Sequence, residues 1–334
     1  GACGFTGSHL VDILHEKKLD FRATDMETAD TRYLPEGTEF IPSDLTEPKS
    51  LKKVAKGVDV VLHTAAIFYF SAPRELLYSV NVQGMENLCN ACVEAGVKRL
   101  VSWSTSGVYG RGSGEVPVRE DHPKAPVEEY SMSKLEQDKI AHRFCEEGKL
   151  ATTIVRPGVV YGPRAKYGFA QILEYLSGVP IIPVPVNFYY RIAPVHARDV
   201  GGAALHLSRR KEAVGEEYHV VDSSGISMTN LFYMIAAVME KPTIPVFVPP
   251  KLAAFGGTIA ATIMEAVARL TGKPPILEKA PMKYFPIDLD VSNEKLLATG
   301  YKFEYPDVRI GLIETIDWMK EEGRLDVNLL EKIV

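Results

Sequence analysis

The first half of the chain alternates short apolar runs with amphipathic segments. This alternation is typical of βαβ units, in which helices cover both faces of a parallel sheet. We therefore predict an α/β fold with a doubly wound parallel sheet. Gly96 should end the third helix, because glycine readily adopts the left-handed conformation of helix C-termini. The predicted strands are 21–24, 39–41, 58–63, 99–103 and 152–156, and the predicted helices start at residue 7, cover 49–56 and 74–95, and follow residue 128.

The composition is that of a globular protein with a large core, since 334 residues include 46% hydrophobic and 24% charged residues. A net charge of -5, without a dense basic run, gives no reason to expect a nucleic-acid partner. Four cysteines are too few for a disulfide framework and fit a reducing cytoplasm. Cys89 and Cys92 form a CxxC pair inside a predicted helix. We interpret them as buried thiols and expect no metal site.

The longest apolar run covers residues 252–264. It is shorter than the roughly 20 residues that cross a bilayer, so the sequence does not predict a transmembrane span. Together with its continuation to residue 270, the run could cover a substrate or make peripheral membrane contact. We favour a third role, which is packing against the rest of the second half of the chain.

A glycine-rich turn opens the sequence, where Gly1, Gly4 and Gly7 have the spacing GxxGxxG before an amphipathic helix. Such glycines permit a tight turn, let a pyrophosphate approach the backbone, and let the helix pack closely on the sheet. Phe5 and Thr6 belong to the same predicted phosphate-binding turn. Three glycines can also form a plain surface turn, so the motif alone is weak. Because this turn normally follows a strand, we expect an apolar strand upstream of the given sequence.

Asp25 ends the next predicted strand, 18 residues after Gly7. A carboxylate there can bind both ribose hydroxyls of an adenosine, which favours NAD, and it would repel the 2′-phosphate of NADP. Met26 stands where an arginine would favour NADP, whereas Arg22 and Arg32 keep NADP open as the less favoured cofactor. The alternative interpretation of Asp25 is a solvated loop carboxylate.

Two later strand ends also suit a dinucleotide. Asp44, followed by Leu45, could approach the adenine, or it could cap the next helix. Thr64, Ala65 and Ala66 follow strand 58–63, and their small side chains would let the dinucleotide lie against the backbone. A tight turn would require small residues as well.

Tyr130 and Lys134 form the most informative motif, YxxxK. Residues four apart share one helix face, so the lysine ammonium can favour the phenolate form of a tyrosine whose ordinary pKa is about 10. By itself the motif usually means a solvent-facing pair. A hydroxyl-rich segment, residues 102–106, ends a predicted strand before Tyr130. A hydroxyl at that strand end could bond a substrate oxygen while Tyr130 transfers a proton.

Four motifs together resemble the extended short-chain dehydrogenase/reductase superfamily of NAD-dependent epimerases and dehydratases. They are the glycine turn, residues 104–110, the YxxxK pair and residues 156–163, in the family's order. The later segments 79–84, 194–200, 215–222 and 290–301 are most similar to the 3β-hydroxysteroid dehydrogenase and dihydroflavonol-reductase-like branch. The resemblance implies catalytic roles for Tyr130, Lys134 and Thr105, with Ser104 and Ser106 as neighbours that stay open. It further implies cofactor contacts from Asn81, Ser104, Pro157, Gly158 and Val159.

The resemblance also implies an organisation into two parts. We expect an NAD-binding Rossmann domain over residues 1–160, to which 194–222 return. A smaller α+β substrate lobe should comprise 161–193 and 223–334, including a C-terminal helix. A homodimer through the helices 74–95 and 128–145 is also implied.

The leading functional hypothesis is interconversion of a secondary alcohol and a ketone on a largely apolar, sterol-like molecule. Aromatic segments around Phe68 and Tyr190 suggest an apolar pocket wall, although core packing would use the same residues. The alternative is a nucleotide-sugar epimerase or dehydratase, whose diphosphate Arg164 and Arg191 could bind. Candidate substrate contacts are Phe68, Ser106, Arg164 and Tyr190. We interpret His196, Asp199 and Arg156 as structural residues.

Overall fold

The computed structural model describes residues 1–111, 115–271, 275, 277–282 and 287–325. Its strands are β1 Arg22–Ala23, β2 Glu39–Phe40, β3 Val60–His63, β4 Arg99–Trp103, β5 Thr152–Pro157, β6 Val159–Tyr161, β7 Ile182–Pro185, β8 Pro194–His196, β9 Glu217–Val220 and β10 Thr243–Val246. Its α-helices are α1 Phe5–Glu16, α2 Pro48–Ala55, α3 Arg74–Leu77, α4 Gly84–Ala95, α5 Glu129–Glu146, α6 Phe169–Ser177, α7 Ala197–Ser208, α8 Met228–Val238, α9 Pro250–Thr271, α10 Lys279–Met282, α11 Glu294–Ala298 and α12 Val308–Glu321. The predicted strands and helices of the first half are therefore confirmed, with small shifts at their ends.

The central sheet is parallel and has the strand order β3-β4-β5-β9. Register pairs such as Val101 with Thr153 and Val155 with Tyr218 align the carboxyl ends of the strands at one edge. Strands β1 and β2 form a separate parallel pair. The amide of Ala2 donates to the Thr24 carbonyl, which places the glycine turn beside the end of β1. The strand expected upstream of the given sequence stays a prediction.

Both faces of this sheet are buried, because alternate residues of β4 and β5 enter different cores. Val101 and Val155 pack with residues of α1 and α7. Leu100 and Ile154 pack with residues of α2, α4 and α5, including Phe144. Helices therefore cover the sheet on two sides, which confirms the predicted α/β architecture.

A third core is built from residues between 161 and 325. It includes Leu173 of α6, Ile182 of β7, Ile235 of α8 and Leu312 of α12. The division into a Rossmann domain and a substrate lobe stays a prediction. Residues 326–334, which that prediction assigns to the C-terminal part, lie outside the described residues.

The predicted helix over 74–95 is continuous but not uniform. Between α3 and α4, residues Tyr78–Gln83 form a π-helical segment. Gly96 follows α4 with φ of 72°, the left-handed conformation predicted for it. Cys89 and Cys92 are fully buried on α4, and burial raises the pKa of the Cys92 thiol to about 12. Their interpretation as buried thiols is confirmed.

Helix α9 corrects the expectation for the apolar run. By length and composition alone, residues Pro250–Ala268 form a helix long enough to cross a bilayer, and only 6% of that stretch is buried. The favoured role of packing against the second half is therefore wrong for most of its surface. Leu252, Phe255, Ile259, Ile263, Val267 and Leu270 are all exposed.

Candidate active site

A cavity of about 2000 Å³ opens at the carboxyl edge of the sheet. All predicted site residues except Asn81 line it. Topology explains this gathering, because the carboxyl ends of parallel strands meet at one edge. The lining includes Gly1, Gly4, Phe5, Thr6, Gly7, Asp25, Asp44, Leu45, Thr64, Ala65, Ala66, Phe68, Ser104, Thr105, Ser106, Tyr130, Lys134, Pro157, Gly158, Val159, Arg164 and Tyr190.

The glycine turn has the close packing that its spacing predicts. A Cβ on Gly7 would lie 1.9 Å from the Gly1 carbonyl oxygen, and a Cβ on Gly1 would lie 2.5 Å from the Ala65 nitrogen. Gly4 stands at the N-cap of α1. The N-terminal end of α1 therefore faces the cavity, where its first N–H groups suit the diphosphate of a dinucleotide.

Asp25 follows β1 and its carboxylate is fixed by backbone donors. Its Oδ2 accepts from the Cys3 amide at 2.9 Å, and its Oδ1 accepts from the Met26 amide at 2.8 Å. The arginines that kept NADP open are engaged elsewhere, since Arg22 pairs with Glu39 and Arg32 pairs with Asp30. A fixed carboxylate, with Arg22 and Arg32 both paired, fits the adenosine ribose of NAD better than the 2′-phosphate of NADP.

Asp44 and Asn81 make contacts that the cofactor prediction did not anticipate. Asp44 accepts from the backbone and hydroxyl of Thr46 in a local turn, and it does not cap the next helix, because the N-cap of α2 is Glu47. Asn81 is buried behind the cavity wall, where it exchanges two hydrogen bonds with the backbone of Ile67 and donates to Ser133. Asn81 thus anchors the loop after β3 to α5.

Tyr130 and Lys134 lie one turn apart on α5, and Thr105 follows the end of β4. The Glu128 carboxylate accepts from the amides of Tyr130 and Ser131, which fixes the start of α5. The ring of Phe70 packs edge-on against Tyr130 at 5.6 Å between centroids. Thr105 Oγ1 accepts from the amide of Gly107 at 3.1 Å, so its hydroxyl proton can still be donated.

Lys134 is only 2% exposed although it reaches the cavity wall. Burial lowers its pKa to about 8, while the carboxylate of Asp138 acts in the opposite direction. Its Nζ donates to Gln137 Oε1 at 2.6 Å. The neighbouring His63, which ends β3, is buried, and burial lowers its pKa to about 3, so this imidazole is neutral at pH 7.

A buried polar network behind α5 was missed by the sequence analysis. Asp138 Oδ2 accepts from Ser104 Oγ at 2.7 Å and from Arg156 Nη2 at 2.9 Å. Arg156 also contacts Glu217 on β9. Arg156 is fully buried, which confirms its interpretation as an internal strut. The spacing of Asp138, four residues after Lys134, was the signal that could have placed it on the same helix face.

The far end of the cavity is aromatic. Phe68 stacks on Tyr69 at 4.6 Å, and Tyr167 packs edge-on against both rings. The buried carboxylate of Glu278 accepts from the Ser71 amide at 2.8 Å and ties this loop to the C-terminal part. Burial raises the pKa of Glu278.

The two arginines predicted as diphosphate ligands are paired with carboxylates. Arg164 contacts Asp12 at 2.7 Å. Arg191 contacts Asp288 at 2.9 Å and Asp290 at 2.7 Å. Neither guanidinium is therefore available to an anionic substrate without exchanging a partner.

Asp199 is structural, as predicted, because it accepts from the Tyr301 hydroxyl and from the amides of Glu304 and Tyr305. The ring of His196 packs 3.8 Å from that of Tyr305 and is buried. Among the described residues, no group of His, Cys, Asp and Glu side chains could hold a metal ion.

The sequence model of the NAD-dependent epimerase/dehydratase family matches residues 1–220. The chain belongs to this family. Its membership confirms the resemblance to the extended short-chain dehydrogenase/reductase superfamily and confirms NAD as the cofactor. Enzymes of this family are oxidoreductases or epimerases.

Curated relatives fall into both groups. The N-acetyl-alpha-D-glucosaminyl-diphospho-ditrans,octacis-undecaprenol 4-epimerase of Escherichia coli O157:H7 is 24% identical, over 91% of this chain and 89% of that protein. Sterol-4-alpha-carboxylate 3-dehydrogenase, decarboxylating, of Homo sapiens is 31% identical over 68% of this chain. The chain spans 62% of the length of that human protein.

Solved structures share the fold over nearly the whole chain. The UDP-glucose 4-epimerase of Thermotoga maritima with UDP-glucose has a TM-score of 0.76 at 20% identity, covering 97% of this chain and 98% of that one. The UDP-glucose 4-epimerase of Thermus thermophilus in complex with NAD has a TM-score of 0.72 at 24% identity, covering 96% and 97%. At these identities the likeness concerns the fold.

Proposed function

We propose that the protein interconverts a secondary alcohol and a ketone on a largely apolar, sterol-like molecule with NAD as cofactor. The composition of the substrate end of the cavity is the observation that carries this proposal. Aromatic rings line it, whereas Arg164 and Arg191 are already neutralised by carboxylates. Such a site favours an apolar molecule over a diphosphate, because an anion would have to displace an existing ion pair.

Three side chains would handle the proton and the substrate oxygen. When bound, NAD supplies the hydride acceptor. The Tyr130 phenolate takes the proton of the substrate hydroxyl and becomes a phenol, and the nearby Lys134 ammonium favours the phenolate form before the transfer. Because Thr105 Oγ1 accepts from Gly107, its own proton can point to the substrate oxygen and orient it.

The sterol dehydrogenases among the relatives support this assignment. The 3beta-hydroxysteroid-dehydrogenase/decarboxylase isoform 1 of Arabidopsis thaliana is 31% identical over 74% of this chain, which spans 62% of that protein. Its name describes a reaction at a hydroxyl group of a steroid, and such a molecule would suit aromatic walls.

The second candidate is an epimerase that acts on a diphospho-linked sugar. The Escherichia coli relative favours it, because the match covers most of both chains. In that case the hydride would return to the substrate, and Arg164 or Arg191 would release its carboxylate to bind the diphosphate.

The two candidates differ in net NADH formation. We would incubate the protein with NAD and either a 3β-hydroxysterol or UDP-glucose and UDP-N-acetylglucosamine, then measure NADH absorbance and sugar interconversion. The dehydrogenase proposal expects NADH only with the sterol. Sugar interconversion without net NADH would overturn it.

Tyr130→Phe should lower the rate of NADH formation by roughly 10²–10⁴-fold, the contribution of a positioned acid or base. Tyr189→Phe is the matched control, since Tyr189 is exposed and should keep full activity. An undiminished rate in Tyr130→Phe would remove the tyrosine from the reaction.

We further propose peripheral membrane contact through α9, which would bring an apolar substrate to the cavity. Helix α9 adjoins the cavity wall, because its Glu265 pairs with Lys279 of α10 and Met282 of α10 lines the cavity. Co-sedimentation with phosphatidylcholine vesicles tests this. Phe255→Ser combined with Ile263→Ser should weaken binding while leaving the folded state intact, and unchanged co-sedimentation would exclude α9 as the contact.

A cytoplasmic homodimer remains part of the proposal. The four cysteines are free, which supports a reducing compartment. A mass near twice 36.9 kDa in light scattering would support the dimer, and a mass near 36.9 kDa would oppose it.

A further inference from the structure

Gln137 is a buried amide that connects Lys134 to the strand beneath α5. Its side chain is 0% exposed. Its Oε1 accepts from Lys134 Nζ at 2.6 Å, and its Nε2 donates to Ser102 Oγ at 2.7 Å and to the Trp103 carbonyl oxygen at 2.9 Å. Gln137 therefore uses both ends of its amide, one toward the cavity lysine and one toward β4.

The orientation of this amide is determined by its partners. The Trp103 carbonyl can only accept a hydrogen bond, so the NH₂ group must face β4. The carbonyl end must then face Lys134, whose ammonium can only donate. If the amide were rotated by 180°, its NH₂ group would face the Lys134 ammonium, which is also a donor. Its carbonyl oxygen would face the Trp103 carbonyl oxygen, which is also an acceptor.

We propose that Gln137 is a positioning residue that acts through Lys134. It holds the ammonium at a fixed place beside the cavity, and it does so with a neutral acceptor that adds no charge. A carboxylate there would offset the positive charge that Tyr130 needs, whereas an apolar side chain would leave the ammonium without this acceptor.

The titratable groups near Lys134 on α5, β3 and β5 are either bonded to other residues or neutral. On α5, the charge of Asp138 raises the pKa of Lys134, but the hydrogen-bonded oxygen of Asp138 faces Ser104 and Arg156. From β3, His63 is neutral at pH 7 and offers no charge. From β5, Arg156 is balanced by Asp138 and by Glu217 of β9. The hydrogen bond to Gln137 therefore fixes the Nζ of Lys134.

Competitive labelling of lysines measures this effect directly. The folded protein is treated with a trace of acetic anhydride from about pH 6 to about pH 11, and the label on Lys134 is quantified by mass spectrometry. The measurement needs neither substrate nor cofactor. The inference uses the proposed function only for its catalytic consequence, so a failed dehydrogenase assay would leave the labelling result intact.

Wild-type Lys134 should titrate with a pKa of about 8. Gln137→Leu should lower that inflection by about 1 pH unit, because the charged form loses its acceptor, and Gln137→Glu should raise it by about 1 pH unit. Glu136→Gln, on the exposed side of the same helix, is the control and should leave it unchanged. If the pKa of Lys134 in both Gln137 variants lies within about 0.2 unit of the wild-type value, the proposal is overturned.

Ser102→Ala decides the question if the Gln137 variants do not fold. It removes one of the two acceptors that orient the amide. The inflection should move in the same direction as in Gln137→Leu, by about half as much. An unchanged inflection in folded Ser102→Ala would then overturn the proposal. In an active enzyme, the alkaline limb of the kcat profile should shift in parallel while KM stays nearly constant.

Discussion

Helices α5 and α9 distribute polar and apolar residues in opposite ways. The inner face of α5 carries Lys134, Gln137 and Asp138, all buried against the central sheet. Helix α9 carries a row of large apolar residues, and 6% of its apolar stretch is buried. One helix therefore hides polar groups, and the other exposes apolar ones.

The difference shows that the burial of a side chain depends on the hydrogen-bond and ion-pair partners available to it as well as on its hydrophobicity. On α5, the ammonium, the amide and the carboxylate each meet a complementary group on α5, β4 or β5, so their desolvation is offset. On α9, most of the surface has no protein neighbour that would cover it within the described chain. This exposed apolar surface is the basis of the membrane contact proposed above.

Removing the buried Asp138 carboxylate of α5 should have the largest effect on the free energy of unfolding. Asp138→Ala leaves Arg156 buried with a single carboxylate and Ser104 without its acceptor. We expect the free energy of unfolding to fall by about 3–5 kcal/mol, measured by urea denaturation. Asp317→Ala, at an exposed ion pair of α12, should change it by less than about 0.5 kcal/mol. Equal losses in the two variants would contradict the assigned role of the network.

A matched pair of phenylalanines compares the two helices directly. Phe144 of α5 is 3% exposed and Phe255 of α9 is 65% exposed. Phe144→Ala should lower the free energy of unfolding by about 3 kcal/mol or more, whereas Phe255→Ala should change it by less than about 0.5 kcal/mol. A large loss in Phe255→Ala would show that α9 is packed in solution, against a second copy or another part of the chain.

Replacing the buried ammonium should stabilise the protein. The folded-state pKa of Lys134, about 8, lies below its ordinary value of 10.5, so at pH 7 folding buries a charge that water solvates in the unfolded chain. Lys134→Met should therefore raise the free energy of unfolding at pH 7 by about 2–3 kcal/mol. The gain should shrink as pH rises from about 8 toward 10.5, where the unfolded chain also loses the proton.

Urea denaturation at pH 7 and at about pH 9.5 tests this sign. A gain that stays constant between the two pH values would assign it to packing of the methionine rather than to the charge. The same variant should lose activity, because Tyr130 would lack its neighbouring positive charge. Stability and function would then change in opposite directions at one residue.

Local patterns made much of the fold predictable. Alternating apolar runs marked β3, β4 and β5, and Gly96 marked the end of α4, because strand period and helix capping depend on neighbouring residues. The motif of Tyr130 and Lys134 could be placed on one helix face for the same reason. Asn81 and Arg164 were less predictable, since their partners Ile67 and Asp12 belong to other elements.

The sequence by itself determined the α/β class, the family and the group of residues at the carboxyl edge of the sheet, because spacing along the chain encodes all three. Only the tertiary structure decided that Gln137 meets Lys134 while donating to β4, that Arg191 is neutralised, and that α9 lies exposed. The physical reason is that the pairing and burial of a side chain depend on groups distant in sequence. Their approach is fixed only when the elements pack.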